Sequence, residues 1–281
     1  MIRLALGGGG VRGFFHLGLL RSLQDAEVAV SAVAGSSAGA VAAAIYALGL
    51  PLDPAPVKAA LADPELARLA RPGGIGPARA GALFLRSLRR PSLADGGRVR
   101  RGLAALFGDR RLEEAALPLA VVAADLLTGE LVALREGPVV DAVQASGSIP
   151  GLFPPVPWDG RLLVDGDVAE KVPVSALKGL GRGAVVAVDV SNPAPPNPPK
   201  NGLEAALLAG DASRRRLKEL ALARADRVIR LSLAEPVDTF DFDRADELYA
   251  RGLEAGRRLA ADLPRRRLLG WWRKPPKQKR E

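Results

Sequence analysis

The chain has 281 residues, 48% of them hydrophobic and 25% charged, a composition typical of folded globular proteins and not of disordered ones. It has no cysteine and one histidine, which excludes a disulfide scaffold, a thiolate metal site, a cysteine nucleophile and a histidine-rich metal cluster. Most of the net charge of +9 lies after residue 263, and with only 4% aromatic residues and no groove-reading motif, nucleic acid is not an expected partner.

Apolar runs alternate with stretches of helical periodicity along the chain. Strands are predicted at Ile2–Leu6, Ala32–Ala34, Leu119–Ala124, Leu131–Leu134, Leu162–Val164, Val185–Val190 and Arg227–Leu231. Helices are predicted at Arg12–Asp25, Ser37–Leu48, Val57–Ala70, Val99–Leu106, Leu203–Arg224 and Arg244–Ala261. Because most of these strands are continuously apolar, the pattern predicts an α/β fold, a three-layer α/β/α sandwich around a mainly parallel sheet.

The domain prediction is a single unit over residues 1–263, with its motifs between about residues 3 and 180, followed by a basic, disordered tail at 264–281. Pro51–Pro91 is poorly periodic and predicts a mobile surface element, whose role as a lid the sequence leaves open. Asn192–Pro199 predicts a stiff polyproline-type loop.

The uncharged stretch Val28–Leu52 is long enough to span a bilayer, but a cluster of glycines and serines interrupts it. A buried strand, a sharp turn and a buried helix explain it better. The first ten residues predict a strand and a turn, not a secretory signal. The expectation is therefore a cytoplasmic protein.

The pentapeptide Gly35-Ser36-Ser37-Ala38-Gly39 is a G-x-S-x-G pattern between a predicted strand and a predicted helix. A nucleophile in such a strained turn needs small neighbours, so Ser37 is the candidate and Gly35 and Gly39 are the elbow glycines. The alternative is an ordinary Gly/Ser turn in an alanine-rich chain.

A glycine run, Gly7 to Gly10, follows the first strand and leads through Val11 and Arg12 to Gly13. Its amides and the following helix N-terminus favour a phosphate or a developing oxyanion. The run also matches G-x-G-x-x-G, so a nucleotide-dependent oxidoreductase has to be considered. Such a site needs an acidic residue at the end of the second strand, where this chain has Ser36 and Ser37.

A base for Ser37 has few candidates. His16 is the only imidazole, and an isolated histidine on an apolar-faced helix favours a structural role. Asp165 follows a buried strand and precedes Gly166, which places a carboxylate at a strand end. The alternative for Asp165 is a plain Asp-Gly turn.

The motifs appear together in order: the glycine run, the G-x-S-x-G, Asp125–Glu130, Ala145–Pro155 and the Asp-Gly segment followed by Val172 to Val174. This set resembles the patatin-like phospholipases, particularly the compact bacterial ones. The resemblance implies a serine-dependent lipid acyl hydrolase working through an acyl-enzyme, with no cofactor and no metal. It implies Ser37 as nucleophile and Asp165 as general base, and an oxyanion hole formed by Gly8, Gly9 and Gly10 with Arg12 beside them.

Two residues depart from the family pattern. Asp167 stands where the family has a small residue. A second carboxylate there could raise the apparent pKa of the pair, but the favoured interpretation is a solvated side chain without effect on Asp165. Lys171 stands where the family often has asparagine, and a cation there is expected to lower the basicity of Asp165.

The expected partner is a phospholipid or another acyl-ester lipid. Cations and tryptophans in the tail predict transient contact with the inner face of the membrane, the alternative being a solvated terminus whose tryptophans pack on the body. These residues are Arg265, Arg266, Arg267, Trp271, Trp272, Arg273 and Lys274. Two other functions stay open at this point: an acyltransferase, and a non-catalytic lipid- or membrane-binding module with an inactive site.

Overall fold

A mixed β-sheet forms the middle layer of the computed structural model, which describes residues 1–63, 92–94, 96–191 and 198–263. Its strands within these ranges are β1 (Ile2–Leu6), β2 (Val30–Ser36), β3 (Leu119–Asp125), β4 (Leu131–Leu134), β5 (Val156–Trp158), β6 (Arg161–Asp165), β7 (Ala184–Asp189) and β8 (Arg227–Arg230). Hydrogen-bonded neighbours follow the path β5-β6-β3-β2-β1-β7-β8, with β4 also paired to β3.

The centre of the sheet is parallel. β3, β2, β1, β7 and β8 pair in parallel with one another, whereas β4 and β6 pair antiparallel with β3, and β5 pairs antiparallel with β6. Parallel strands have their carboxyl ends at one edge of a sheet, the edge where sites of open α/β proteins lie. The predicted mainly parallel sheet is confirmed.

Helices cover both faces of the sheet. Those described are α1 (Phe14–Asp25), α2 (Ala38–Ala47), α3 (Pro54–Leu61), α4 (Gly97–Phe107), α5 (Val139–Ser146), α6 (Asp167–Glu170), α7 (Gly202–Leu222) and α8 (Ala245–Asp262). The side-chain alternation of β1 shows the two layers, since Leu4 and Leu6 join the larger apolar cluster with α1, α2 and α8, and Ala5 joins the smaller cluster with Leu222 of α7. The three-layer α/β/α prediction is confirmed.

Glycines bring α1 and α8 into close contact on the larger face. A Cβ on Gly18 would lie 2.1 Å from the carbonyl oxygen of Tyr249, and one on Gly252 would lie 2.1 Å from that of Phe15. Any larger residue would therefore push the two helices apart. This contact fixes α1, which carries the glycine run at its start.

Several predicted bounds need correction. β2 runs over Val30–Ser36 and is longer than predicted, and β5 and α5 were not predicted. The helix predicted at Val57–Ala70 runs over Pro54–Leu61 in the structure, and residues 64–70 of that prediction lie outside the described residues. Most of Pro51–Pro91, most of Asn192–Pro199 and the whole of 264–281 also lie outside them. The single-domain prediction stays a prediction.

Val28–Leu52 folds as β2 and α2, as the sequence indicated. Over the described ranges, no helix is long and apolar enough to cross a membrane.

Candidate active site

Ser37 occupies a strained turn between β2 and α2. Its backbone has φ 53° and ψ −122°, a conformation that costs a non-glycine residue about 1–3 kcal/mol. The chain can turn so sharply because of its two elbow glycines: a Cβ on Gly35 would lie 2.3 Å from the Gly39 carbonyl oxygen, and one on Gly39 would lie 2.1 Å from the Leu6 carbonyl oxygen. The turn presents Ser37 at the carboxyl edge of the sheet.

Asp165 reaches this serine because β6 and β2 share one edge of β3. Ser36 of β2 pairs with Val122, and Asp165 of β6 pairs with the next residue, Ala123. β4 pairs with both Val122 and Ala123, so it occupies the opposite edge. β2 and β6 run towards each other on the shared edge, and their carboxyl ends meet.

The end of α5 holds both strand ends in place. The backbone N–H of Ser37 donates to Oγ of Ser146 at 2.8 Å, and this hydroxyl donates to the carbonyl oxygen of Val122 at 2.5 Å. The N–H of Asp165 donates to the carbonyl oxygen of Ser148 at 2.9 Å. Ser146 and Ser148 are buried, so the clamp is shielded from water. Sequence reasoning included them in a motif and did not find this role.

The Ser37 hydroxyl lies close enough to the buried Asp165 carboxylate to act on its pKa. Burial, as the largest cause, together with the charge of Asp167, raises the pKa of Asp165 to about 6. The Asp167 N–H, which donates to Oδ1 of Asp165 at 2.9 Å, the Ser37 hydroxyl and the charge of Lys171 act in the opposite direction on this pKa. The result is a carboxyl group that changes charge close to neutral pH.

This arrangement corrects the interpretation of Asp167. Its side chain is not without effect, because its charge raises the pKa of Asp165. Lys171 lowers that pKa as expected, but its Nζ lies 2.5 Å from Oδ2 of Asp167, and burial outweighs its effect. The net direction is upward.

The glycine run lies directly against the serine. A Cβ on Gly8 would lie 3.1 Å from Cβ of Ser37. The N–H of Gly8, however, donates to the carbonyl oxygen of Lys171 at 3.0 Å. The sequence expectation that Gly8 supplies an oxyanion donor is therefore not supported by this geometry. Gly8 provides room for the serine instead.

Three amides around Ser37 remain as donors. Within the described parts of the chain, the N–H groups of Gly9, Gly10 and Ala38 have no hydrogen-bond acceptor. Gly10 has φ 59°, and the next amide, of Val11, donates to the carbonyl oxygen of Thr239 at 2.8 Å. Ala38 is the residue after the serine, a position that supplies an oxyanion donor in G-x-S-x-G turns. The sequence analysis omitted it.

Arg12 and His16 support the glycine run. Nη1 of Arg12 donates to the carbonyl oxygen of Val237 at 2.5 Å, and burial lowers the pKa of Arg12 while the carboxylates of Asp167, Asp189 and Asp238 raise it. Nε2 of His16 lies 2.8 Å from the carbonyl oxygen of Gly7 and donates to it. Burial lowers the pKa of His16 to about 4, so the ring is neutral. The structural interpretation of His16 is consistent with this position.

An apolar cavity opens at Ser37. It measures about 950 Å³ with its open mouth, and its walls come from α1, α2, α4, α5 and the segment before α8. The larger apolar side chains that line it include Leu17, Val41, Leu103, Val143, Phe153 and Phe242. These residues are distant in sequence, and no local pattern identified them. Among the described residues no group of three or more His, Cys, Asp or Glu side chains could hold a metal ion.

A mainly parallel sheet between two helical layers, with a strained serine at a strand–helix turn beside a buried aspartate, defines an α/β protein of the patatin type. The family model of the patatin-like phospholipases matches residues 4–178. The chain belongs to this family.

Individual relatives agree with this assignment. An uncharacterised NTE family protein of Mycobacterium tuberculosis is 32% identical over 190 residues, covering 68% of this chain and 49% of that protein. The lysophospholipase NTE1 of Yarrowia lipolytica is 31% identical over 191 residues, covering 68% of this chain and 13% of that protein. The chain thus spans half or less of the length of these curated relatives. The solved structure of VipD from Legionella pneumophila shares the fold. It has a TM-score of 0.51 and 18% identity, and the match covers 92% of this chain and 66% of VipD.

Proposed function

We propose that this chain is a serine-dependent lipid acyl hydrolase in which Ser37 is the nucleophile and Asp165 the general base. The observation that carries the proposal is the position of the strained Ser37 beside the buried Asp165 carboxylate, where the ends of β2 and β6 meet at the mouth of an apolar cavity. A carboxyl group with a pKa of about 6 is charged at neutral pH and is a better proton acceptor than an ordinary aspartate.

In the first half-reaction, Oγ of Ser37 attacks the acyl carbonyl carbon of the substrate and its proton passes to Asp165. The carbonyl π electrons move to oxygen, and the amides of Gly9, Gly10 and Ala38 are the donors available to that oxyanion. The oxyanion collapses, the bond to the leaving alcohol breaks, and the alcohol takes the proton from Asp165. The acyl group remains as an ester of Ser37.

In the second half-reaction, water attacks the ester carbon and gives its proton to Asp165. Collapse of the second oxyanion releases the carboxylic acid, and Oγ of Ser37 recovers the proton. If an alcohol replaces water in this step, the same residues transfer the acyl group. Acyl transfer is therefore a variant of the same proposal.

The cavity supports an acyl-ester lipid as the substrate class. Its walls near Ser37 are aliphatic and aromatic side chains, which favour an alkyl chain over a polar group. A curated relative named as a lysophospholipase supports the same class. The basic segment 264–281, outside the described residues, is proposed to add contact with anionic membrane, and deleting residues 265–281 is expected to weaken sedimentation with anionic vesicles.

The test compares wild type, Ser37→Ala and Asp165→Asn on p-nitrophenyl esters of increasing acyl length. We expect turnover by the wild type that increases with acyl length, and loss of turnover by at least about a hundred-fold in each variant. A serine-directed fluorophosphonate should label the wild type and not Ser37→Ala. Full activity in either folded variant would refute the assignment. A folded wild type that neither turns over nor is labelled would favour a lipid-binding module with an inactive site.

A further inference from the structure

Exposed leucines concentrate at the edge of the sheet where Ser37 lies. Parallel strands β2, β3 and β7 end there, and two apolar projections extend from this edge, one after β3 and one after β7. We call them together the docking face: the β3–β4 turn with Leu126 and Leu127, and the first half of α7 with Leu203 and Leu207. β2 and β1, which carry the serine and the glycine run, lie between β3 and β7.

The β3–β4 turn holds its leucines outward in a rigid conformation. Leu127 is 76% exposed and Leu126 is 44% exposed. The N–H of Leu127 donates to Oδ1 of Asp125 at 2.9 Å, and the N–H of Leu126 donates to the carbonyl oxygen of Leu162, another exposed leucine, at 2.8 Å. β3 continues three residues past Val122, the partner of Ser36, so the turn projects about 10 Å beyond the serine's strand.

Acidic groups at this turn are paired with a cation. Nη1 of Arg161 lies 3.4 Å from Oδ2 of Asp125 and 3.3 Å from Oε2 of Glu130. The pairing reduces the negative charge that the turn would otherwise present to an anionic surface. The leucines are therefore the dominant feature of its tip.

Helix α7 is too long for the sheet that it covers. Its 21 residues span about 31 Å, whereas the six residues of β7 span about 20 Å. Its buried positions are confined to the last two turns, at Lys218, Ala221 and Leu222. About 11 Å of the helix, or roughly its first seven residues, therefore extends past the carboxyl edge, and Leu203 and Leu207 in this part are each 62% exposed.

Unpaired cations flank the two leucines of α7. Lys200 precedes them and Arg215 and Arg216 follow, all three exposed and without an ion pair to any residue that the structure describes. Glu204 lies between the leucines, and Asp211 pairs with Arg214, so residues 200–216 hold four cations and two acidic residues, a net charge of +2. Leucines bracketed by free cations are the combination that an anionic lipid surface recognises, since alkyl side chains enter the acyl boundary and cations contact the headgroups.

We propose that the docking face binds the surface of an anionic lipid bilayer, with both projections inserted and the mouth of the cavity at Ser37 facing the lipid. The proposal rests on the function proposed above, because it names the physical form of the substrate. Two projections separated by about three strand spacings, or roughly 14 Å, fix the orientation of the protein on the surface. One projection would leave the protein free to tilt.

The experiment measures vesicle binding by the full chain carrying Ser37→Ala, so that lipid is not consumed and catalysis does not enter the readout. The triple variant Leu127→Ser, Leu203→Ser, Leu207→Ser is compared with the parent on phosphatidylcholine vesicles containing phosphatidylglycerol. We expect its partition coefficient to fall by about ten-fold or more. Arg215→Gln with Arg216→Gln should weaken binding to these vesicles and leave binding to pure phosphatidylcholine unchanged.

The matched control is Leu217→Ser with Leu220→Ser, two exposed leucines on the same helix beside its buried end. This pair should bind within about two-fold of the parent, because Leu217 lies 14 residues, or about 21 Å, behind Leu203 along the helix and does not reach the acyl boundary, whereas the neighbouring arginines need only reach the headgroups. Equal binding by the triple variant and the parent would overturn the proposal, as would an equal loss in the control pair. If the triple variant instead converts a dimer to a monomer with vesicle binding unchanged, the docking face is a contact between copies and the proposal is wrong. Because the readout is binding, failure of the hydrolase proposal is detected separately by the ester assay.

Discussion

Replacing Asp165 by asparagine is expected to stabilise the folded protein at neutral pH, although it removes the proposed base. Burial is the main cause that raises the pKa of Asp165 from 3.8 to about 6. A carboxyl group whose pKa is higher in the folded state contributes stability below pH 3.8, and this contribution is lost as the pH rises through 6. The difference corresponds to about 3 kcal/mol at 1.36 kcal/mol per pH unit. Asparagine carries no charge, and its oxygen can still accept the 2.9 Å bond from the Asp167 N–H.

Urea unfolding of wild type and Asp165→Asn between about pH 4 and pH 8 measures this contribution. The variant should match the wild type near pH 4 and exceed its free energy of unfolding by up to about 3 kcal/mol above pH 6. A variant that is less stable than wild type above pH 6, or a difference that does not change with pH, would refute the reasoning.

Asp189 provides a control of opposite sign. It is as buried as Asp165, at the end of β7, and its Oδ2 lies 2.9 Å from Nζ of the buried Lys218. Burial raises the pKa of Asp189, but hydrogen bonds from Ser191 and Lys218 outweigh it and hold the pKa below its ordinary value. Asp189→Asn takes the charge away from Lys218, so the free energy of unfolding at neutral pH should fall by about 3 kcal/mol.

Three further outcomes are expected. The kcat/KM of ester hydrolysis should rise with pH around a midpoint near 6, because Asp165 must be charged to accept a proton. Asp167→Asn should move that midpoint of the pH–rate profile to lower pH, because the charge of Asp167 raises the pKa of Asp165. Gly39→Ala should prevent stable folding, since the new Cβ would lie 2.1 Å from a backbone oxygen. Gly210→Ala, on the exposed part of α7, should instead increase the free energy of unfolding by about 0.5–1 kcal/mol and raise the melting temperature. His16→Gln should make the protein less sensitive to acid. The pKa of His16 is about 4 in the folded protein and 6.5 in the unfolded chain, so about 3 kcal/mol of stability is lost as the pH falls from 6.5 to 4. The pH midpoint of acid denaturation of the variant and the wild type measures this loss.

The elements that were predicted well are those with a strong local pattern. β3 and β7 are apolar up to their final aspartates, and β1 is apolar except for Arg3, and the burial of such runs between two helical layers does not depend on their neighbours. β5 has three residues and α5 has eight, too few for a period to appear above chance. The order of strands was not readable, because pairing joins segments far apart in the chain.

The same division applies to the site. Ser37 and Asp165 were found from their local surroundings, a turn that only small residues allow and a carboxylate at a strand end. Their proximity could not be read from the local sequence patterns. It depends on β6 pairing with the same edge of β3 as β2, starting just beyond the point where β2 ends at Ser36. The hydrogen bond that removes Gly8 from the available donors is likewise a tertiary contact, with Lys171.

The sequence by itself determined the fold class, the family resemblance and the two candidate residues of the proposed reaction, since each depends on side-chain type and local spacing. Only the tertiary structure decided the pKa of Asp165, because the desolvation that raises it comes from distant segments packed around it. It also decided that Leu127, Leu203 and Leu207 are exposed. An apolar residue in a sequence predicts burial, and only the assembled sheet shows which leucines the core leaves outside.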